Sequence, residues 1–239
     1  MSFRPPLIEL EPADALHLEC ARRIAQEGWG QVHPNPMVGC VLVKDGKVIG
    51  EGCHEVFGGP HAEIVALEDA RSRAEGATAY VSLEPCNHQG KTPPCAQALL
   101  KAGVRRVVYG ASDPGLASGG GAQTLRAGGV DVVGPVWDDV AARSENPAFF
   151  HGARSARPFV ALKLAASLDA RIAAAPGQRT RITGIEAERE VHRIRAGFDA
   201  VMVGAGTMNT DDPRLTPRLV SPGRDPIRRI LLLPDAELA

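Results

Sequence analysis

The chain has 239 residues, 44% of them apolar, with 27 Lys and Arg against 28 Asp and Glu. That length allows one large domain or two small ones, and that composition is ordinary for a globular protein that buries a core. A net charge of −1 supplies no basic field for a phosphate backbone, so nucleic acid is not an expected partner, and with no apolar run near the ~18 residues of a membrane span and no secretory signal, a cytoplasmic protein is expected.

From the N-terminus, residues 13–26 read as a helix with apolar positions at Leu16, Cys20 and Ile24, closing near Gly28. VGCVLVKDGKVIGEG reads as two strands around Asp45-Gly46, a pair that tolerates positive φ at both positions and so marks a hairpin. HAEIVALEDARSR has helical periodicity, ATAYVSL is a buried strand, and PPCAQALLKAG opens on prolines suited to a first helical turn. RRVVYG, AQTLRAGG and VDVVG continue as strand, helix and strand. After one hairpin, strands and helices alternate, which predicts a three-layer α/β domain over residues 1–145.

A stretch with no strong strand signal and two prolines, from Asp138 to Phe159, separates this pattern from a second one over residues 146–239, with the boundary placed between Ser144 and Arg157. There FVALKLAASLD reads as a strand. Thr183 with Glu186 forms a capping-box pattern for a helix ending at Gly197. DAVMVGAGT is a strand running into a glycine turn, and RRILLLP is a last strand.

The five cysteines are an odd number, which argues for reduced thiols and against a disulfide framework. Cys20 and Cys40 fall in apolar segments and read as packing residues, and Cys53 as a packing or loop residue. Cys86 and Cys95 differ, because they belong with H-A-E at 61–63 in the pattern P-C-N-H-Q-G-K-T-P-P-C at 85–95. One imidazole and two thiolates, from His61, Cys86 and Cys95, provide the three protein ligands of a catalytic zinc site and leave the fourth position for water. The metal lowers the pKa of that water from ~15.7 towards ~7. Glu63 is then the expected proton shuttle between the water, a ring nitrogen and the leaving amine. Residues at i and i+2 diverge on a regular helix, so His61 and Glu63 converge only if the first turn is irregular. Cys53, His54 or His88 would each complete a closed structural site instead.

The segments HPNPMVGCVLVKDGKVIGEGCH, PHAE and LEPCNHQGKTPPC resemble the N-terminal half of the bifunctional riboflavin-biosynthesis deaminase–reductases, over most of residues 15–135. Nucleoside, cytosine and transfer-RNA deaminases are similar in fold and ligands, but their usual P-C-x-x-C has two residues between the cysteines where this chain has eight. The resemblance implies a cytidine-deaminase-like fold and a small-molecule substrate, 2,5-diamino-6-(5-phosphoribosylamino)pyrimidin-4-one, deaminated to the aminouracil by zinc-bound hydroxide. It also implies ring and sugar contacts at Asn35 and His54, contacts near the ribose phosphate at His88 and Lys91, and a homo-oligomer. Where the family usually reads D-P-N-P, this chain reads DPGL, with Gly115 in place of the asparagine.

RPFVALKLAASLDARI, the segment from Ile182 to Arg218, and RDPIRRILLLPDA resemble the start of the reductase half. That half is a dihydrofolate-reductase-like α/β domain using NADPH to reduce the ribosyl group. Lys163, Ser167, Asp169, Thr183, Arg195, Thr207 and Asp211 match its substrate and cofactor contacts, while Ala170 departs from the usual SLDG. GAG at 204–206 lacks the third glycine of a Rossmann fingerprint. The family's reductase half is longer than the segment present, so an incomplete domain with weak or absent reduction is expected. The expectation is therefore a zinc-dependent pyrimidine deaminase fused to part of a reductase; the rival is a zinc-stabilised scaffold without turnover.

Overall fold

The computed structural model describes residues 8–89, 93–220 and 227–233. The chain divides into two compact units, Met1–Phe159 and Val160–Ala239.

The first unit is built on a five-stranded sheet. Helix α1 (Pro12–Ala25) precedes the hairpin β1 (Gly39–Lys44) and β2 (Lys47–Cys53). Helix α2 (Ala62–Ala70) leads to β3 (Thr78–Leu83), α3 (Cys95–Lys101) to β4 (Arg106–Ala111), and α4 (Gly121–Ala127) to β5 (Asp131–Val133). The spatial order is β2-β1-β3-β4-β5, with β1 antiparallel to both neighbours and β3, β4 and β5 parallel. Asp45 and Gly46 both have positive φ, 51° and 71°, as the tight hairpin requires.

Alternation along the central strands loads both faces of the sheet. Leu42, Ala79, Val81, Val107 and Tyr109 pack against Ala62, Ala66 and Ala70 of α2, Leu99 of α3 and Leu125 of α4. On the other face Val41, Val43, Tyr80 and Val108 meet Leu18 and Ala21 of α1. These are the three layers expected from the sequence.

Of the apolar positions expected on α1, Cys20 and Ile24 pack against the cluster on that second face, while Leu16 departs. Leu16 is 61% exposed, and the buried face is Asp14, Leu18, Ala21 and Ala25. A carboxylate stands on that buried face instead. Asp14 accepts hydrogen bonds from the Tyr80 hydroxyl at 2.7 Å and from Arg106 Nη1 and Nη2 at 2.9 and 2.7 Å. Those bonds hold its carboxyl below the usual range despite burial, which opposes them. Helix and sheet are joined there by charge, which apolar periodicity does not record.

On the opposite face α2 lies close against the glycines of β2. A Cβ on Gly50 would come within 2.4 Å of the Ala66 carbonyl oxygen, and one on Gly52 within 2.6 Å of both the Ala62 oxygen and the Ala66 nitrogen. Ala62, Ala66 and Ala70 form the matching small-residue stripe, all fully buried. Two further helices, α5 (Asp139–Glu145) and α6 (Pro147–Gly152), close the unit. Asp138 caps α5 by accepting from the backbone N–H groups of Val140 and Ala141. Ala142 and Phe150 bury against Leu83 and Ala111 at the carboxyl ends of β3 and β4.

The second unit contains α7 (Ile185–Ala196), β6 (Ala200–Gly204), α8 (Ala205–Asp211) and β7 (Arg228–Leu232). β6 and β7 pair in parallel, from Ala200↔Arg228 to Gly204↔Leu232. Three local expectations are corrected. The stretch from Phe159 to Asp169 forms no strand; Val160, Leu162 and Leu164 are exposed, and among the described residues no neighbouring strand pairs with it. Helix α7 is preceded by Gly184 without a side-chain cap, so Thr183 does not act as a capping residue. β6 runs into helix α8 and not into an open turn. Among the described residues no helix is long and apolar enough to cross a membrane.

The contact between α2 and β2 predicts a graded response to added methyl groups. Gly52→Ala forces backbone apart and should cost about 1–3 kcal/mol. Gly46→Ala meets no atom within 4 Å and should cost only its left-handed backbone, about 1 kcal/mol. Urea denaturation of the two variants checks the order; a Gly52→Ala midpoint at or above that of Gly46→Ala would contradict the close approach.

Candidate active site

The candidate ligands come from ends of elements. His61 is the residue before α2, with extended backbone (φ −75°, ψ 157°), and Glu63 stands in that helix's first turn. This break in helical geometry brings both side chains to one cleft although they are two residues apart. Cys86 follows the carboxyl end of β3, and Cys95 is the first residue of α3 behind Pro94. The Cys95 backbone N–H donates to Cys86 Sγ at 3.4 Å, and the Ala96 N–H to the Cys86 carbonyl at 3.1 Å.

His61 Nδ1 lies 3.5 Å from Cys86 Sγ and 3.3 Å from Cys95 Sγ. A tetrahedral zinc with Zn–N of ~2.0–2.1 Å and Zn–S of ~2.3 Å separates its N and S donors by about 3.6 Å. The donor atoms therefore already stand at the spacing zinc requires, and the soft, nitrogen-plus-sulfur set matches that ion. Among the described residues this trio is the one cluster with metal-ligand spacing. Cys53 does not join it, its thiol facing Glu27 at 3.8 Å. Neither do His54 and His88, which stand outside the group of donor atoms lying within 4.8 Å of one another.

Protons are unevenly shared here. The Cys95 thiol, donating to Cys86, and then His61 pull the Cys86 thiol down to about 4, while the same partnership and burial push Cys95 upward. His61 is raised, first by its bond to Cys86. Glu63 is 3% exposed; burial, then the negative charge of Cys86, push its carboxyl up to about 7.

These groups open on a cavity of about 250 Å³ lined by Asn35, Pro36, Val38, His54, Glu84, His88, Asp113, Ser118 and Phe149 as well as His61, Glu63 and Cys86. That is near the small end of the range for small-molecule sites. His54 is buried, and its Nδ1 faces the Pro60 carbonyl at 2.8 Å. A carbonyl only accepts, so Nδ1 carries the proton; burial holds the ring below its usual pKa, and Nε2 is left as an acceptor. Asn35 Nδ2, 3.0 Å away, must then donate to it, which fixes the amide with Oδ1 as its free acceptor. Glu84 uses both oxygens on backbone, accepting from Asp113 and Ala122 N–H groups at 3.3 and 3.0 Å.

Of the residues anticipated from the sequence, Asn35, His54, His61, Glu63, Cys86, His88 and Cys95 come together in this region, and Lys91 lies outside the described residues. A Cβ on Gly115 would lie 2.1 Å from Ser118 Oγ and displace that side chain; Ser118 is among the residues lining the cavity. Phe149, Ser118 and Glu84 were not singled out in the sequence. In the second unit, Ser167 bonds to Asp169 at 2.5 Å and Arg195 to the Thr216 carbonyl at 3.0 Å. Lys163, Thr183 and Thr207 are exposed and Asp211 half-buried. Ala170 has φ +61°, the left-handed backbone that glycine adopts without cost, which is a physical reason for the glycine usual at that position.

The model of the cytidine and deoxycytidylate deaminase zinc-binding region matches residues 12–111, and that of the RibD C-terminal domain matches residues 158–232. The chain belongs to the RibD family. It is 42% identical to the riboflavin biosynthesis protein RibD of Aquifex aeolicus, over 94% of this chain and 63% of that protein. With RibD of Escherichia coli it shares 45% identity over 86% of this chain and 56% of the relative. A crystal structure from Thermotoga maritima, described as a diaminohydroxyphosphoribosylaminopyrimidine deaminase/5-amino-6-(5-phosphoribosylamino)uracil reductase, superposes with a TM-score of 0.81. Its sequence is 42% identical, over 92% of this chain and 62% of that one. The chain thus spans about three-fifths of the length of these relatives.

The buried carboxyl gives a signed pH effect in metal-free protein. A carboxyl raised from 4.5 to about 7 on folding stabilises the fold below its unfolded pKa and loses that contribution as pH rises through about 7. Glutamine does not ionise. Metal-free Glu63→Gln should therefore exceed metal-free wild type in stability by on the order of 3 kcal/mol above about pH 8, with the difference shrinking towards about pH 5. Denaturation at the two pH values in chelator checks this, and a constant difference would contradict it.

Proposed function

We propose that the first unit hydrolyses the exocyclic amine of 2,5-diamino-6-(5-phosphoribosylamino)pyrimidin-4-one, consuming water and releasing ammonia and the corresponding aminouracil. The observation that carries this reading is the triangle of His61 Nδ1 and the two cysteine sulfurs with a buried carboxyl, Glu63, beside it in a small cavity. His61, Cys86 and Cys95 would hold zinc, which when bound supplies a water acidic enough to ionise near neutral pH.

The remaining work belongs to side chains. Glu63 takes a proton from the attacking water and passes it to the ring nitrogen next to the reacting carbon; it then takes the proton left on the added hydroxyl and delivers it to the amine, whose C–N bond breaks as the carbonyl forms, releasing ammonia. A carboxyl near the operating pH suits both directions of transfer, and burial is the cause of that placement. Asn35 presents Oδ1 to an N–H of the pyrimidine. His54, 2% exposed, lines the same cavity and fixes the Asn35 amide. His88 and Lys91 serve the ribose phosphate end, and the Ser118 hydroxyl is the polar group offered beside Gly115.

For the second unit we assign NADPH-dependent reduction of the ribosyl group as the chemistry to which Lys163, Ser167, Asp169, Thr183, Arg195, Thr207 and Asp211 belong. The match of residues 158–232 to the RibD C-terminal domain supports that assignment.

The test is ammonia release from the phosphoribosylamino diaminopyrimidine by the purified, zinc-loaded chain, with NADPH absorbance followed in the same tube. Glu63→Gln should keep one zinc per chain and lose at least about 10²-fold in kcat. Zinc-loaded wild type that releases no ammonia, or a Glu63→Gln variant with ordinary turnover, would overturn the reading in favour of a zinc-stabilised scaffold.

A further inference from the structure

The residues between α5 and α6 carry no motif of the zinc site and lie beyond the deaminase-region match, which ends at residue 111. Asn146 stands there, 8% exposed, between Glu145 at the end of α5 and Pro147 at the start of α6. Its side chain makes two hydrogen bonds to one distant residue. Oδ1 accepts from the Met37 backbone N–H at 2.8 Å, and Nδ2 donates to the Met37 carbonyl at 3.0 Å. A primary amide offers one acceptor and one donor side by side, which a backbone N–H and C=O of a single residue can match. Met37 is itself buried, and its neighbours Asn35, Pro36 and Val38 line the cavity.

The clamp is anchored at both ends. Upstream, Glu145 accepts from Arg22 Nη1 at 3.1 and 3.2 Å and from Gln26 Nε2 at 3.3 Å, fixing the end of α5 to α1. Downstream, Phe150 is buried against Leu83, Ala111 and Ala142, while its neighbour Phe149 turns into the cavity wall. One short segment thus holds the loop that carries Asn35 and supplies an aromatic side chain to the cavity lining.

We propose that Asn146 is a positioning residue for substrate binding, clamping the Asn35–Val38 segment, and that Phe149 is a wall residue contacting the pyrimidine substrate. The second clause rests on the deaminase reading above; the clamp itself does not. Asn146→Asp preserves shape but replaces the donor with an acceptor facing the Met37 carbonyl, so the loop should be released while the zinc ligands, on other elements, stay in place. Phe149→Ala removes the aromatic surface from a side chain that is not fully buried, and Phe149→Tyr keeps it.

The test pairs a kinetic and a structural readout on the full, zinc-loaded chain. With zinc content unchanged, Asn146→Asp and Phe149→Ala should each raise KM roughly tenfold or more with kcat within about threefold, and Phe149→Tyr should restore KM. Backbone amide exchange of the peptide covering 33–38 should be faster in Asn146→Asp than in wild type, with peptides from β3 and β4 unchanged. A merely structural asparagine would lower thermal stability and active fraction while leaving KM alone, and that result overturns the proposal. If wild type itself releases no ammonia, the deaminase reading and the Phe149 contact both fail, and amide exchange alone decides the clamp: faster exchange at 33–38 upholds it, and unchanged exchange removes it.

Discussion

The close contact of α2 with the glycines of β2 sets the geometry of the site. Gly50 and Gly52 present no side chain to the helix, and the Ala62, Ala66, Ala70 stripe adds only methyl groups on the helix. Two elements touching this closely have no slack, because a gap of even half an ångström forfeits much of the dispersion energy across the contact. The residue just before that helix is His61, so the position of one metal ligand is fixed by packing on a strand that carries none of the others. Cys86 and Cys95 are fixed separately, by the end of β3 and the start of α3, and their backbone bonds to one another complete the frame. The donor spacing of 3.3–3.5 Å thus follows from where sheet and helix packing places the ends of these elements.

Such a frame concentrates negative charge. Two thiols and a carboxyl share a small buried volume, and burying anions without a counter-charge is costly. The protons respond accordingly: Cys86 gives up its own, Cys95 keeps its own, and Glu63 holds its own up to about 7. A divalent cation at the three donors shifts this balance the other way, favouring both thiolates and drawing the carboxyl downward. Burial and a cation therefore act on Glu63 in opposite directions.

Much of this was legible in the letters because it is local. Asp45-Gly46 names its turn, the alternating strands name their faces, and H-A-E with the two cysteines names a ligand set whose members each sit at an element end. What escaped was non-local or electrostatic. Leu16, Cys20 and Ile24 gave α1 an apolar face, but Leu16 is exposed and Asp14 is buried, pairing with Arg106 and Tyr80, 92 and 66 residues away. The bonds of His54 to Pro60 and Asn35, which tie that cavity-lining ring to the amide beside it, join residues 6 and 19 positions apart and have no signature in the letters. Apolar residues after Phe159 suggested a strand, yet a strand needs a neighbour to bond with, and sequence alone does not supply one.

Asn146 and Phe149 illustrate why the last wall of the cavity was the hardest to read. A metal site is written in residue types, because only imidazole, thiolate and carboxylate hold the ion, and their spacing survives as a motif. A binding wall is written in positions: any amide that reaches Met37 and any ring that reaches the cavity would serve, and neither announces itself in a stretch that scans as polar and proline-broken. Only the folded arrangement, with α6 pressed on the ends of β3 and β4, gives those two residues their meaning. The candidate ligand cluster is thus encoded within a short span of sequence, whereas one wall of the cavity beside it comes from a segment more than 80 residues further along the chain than Glu63.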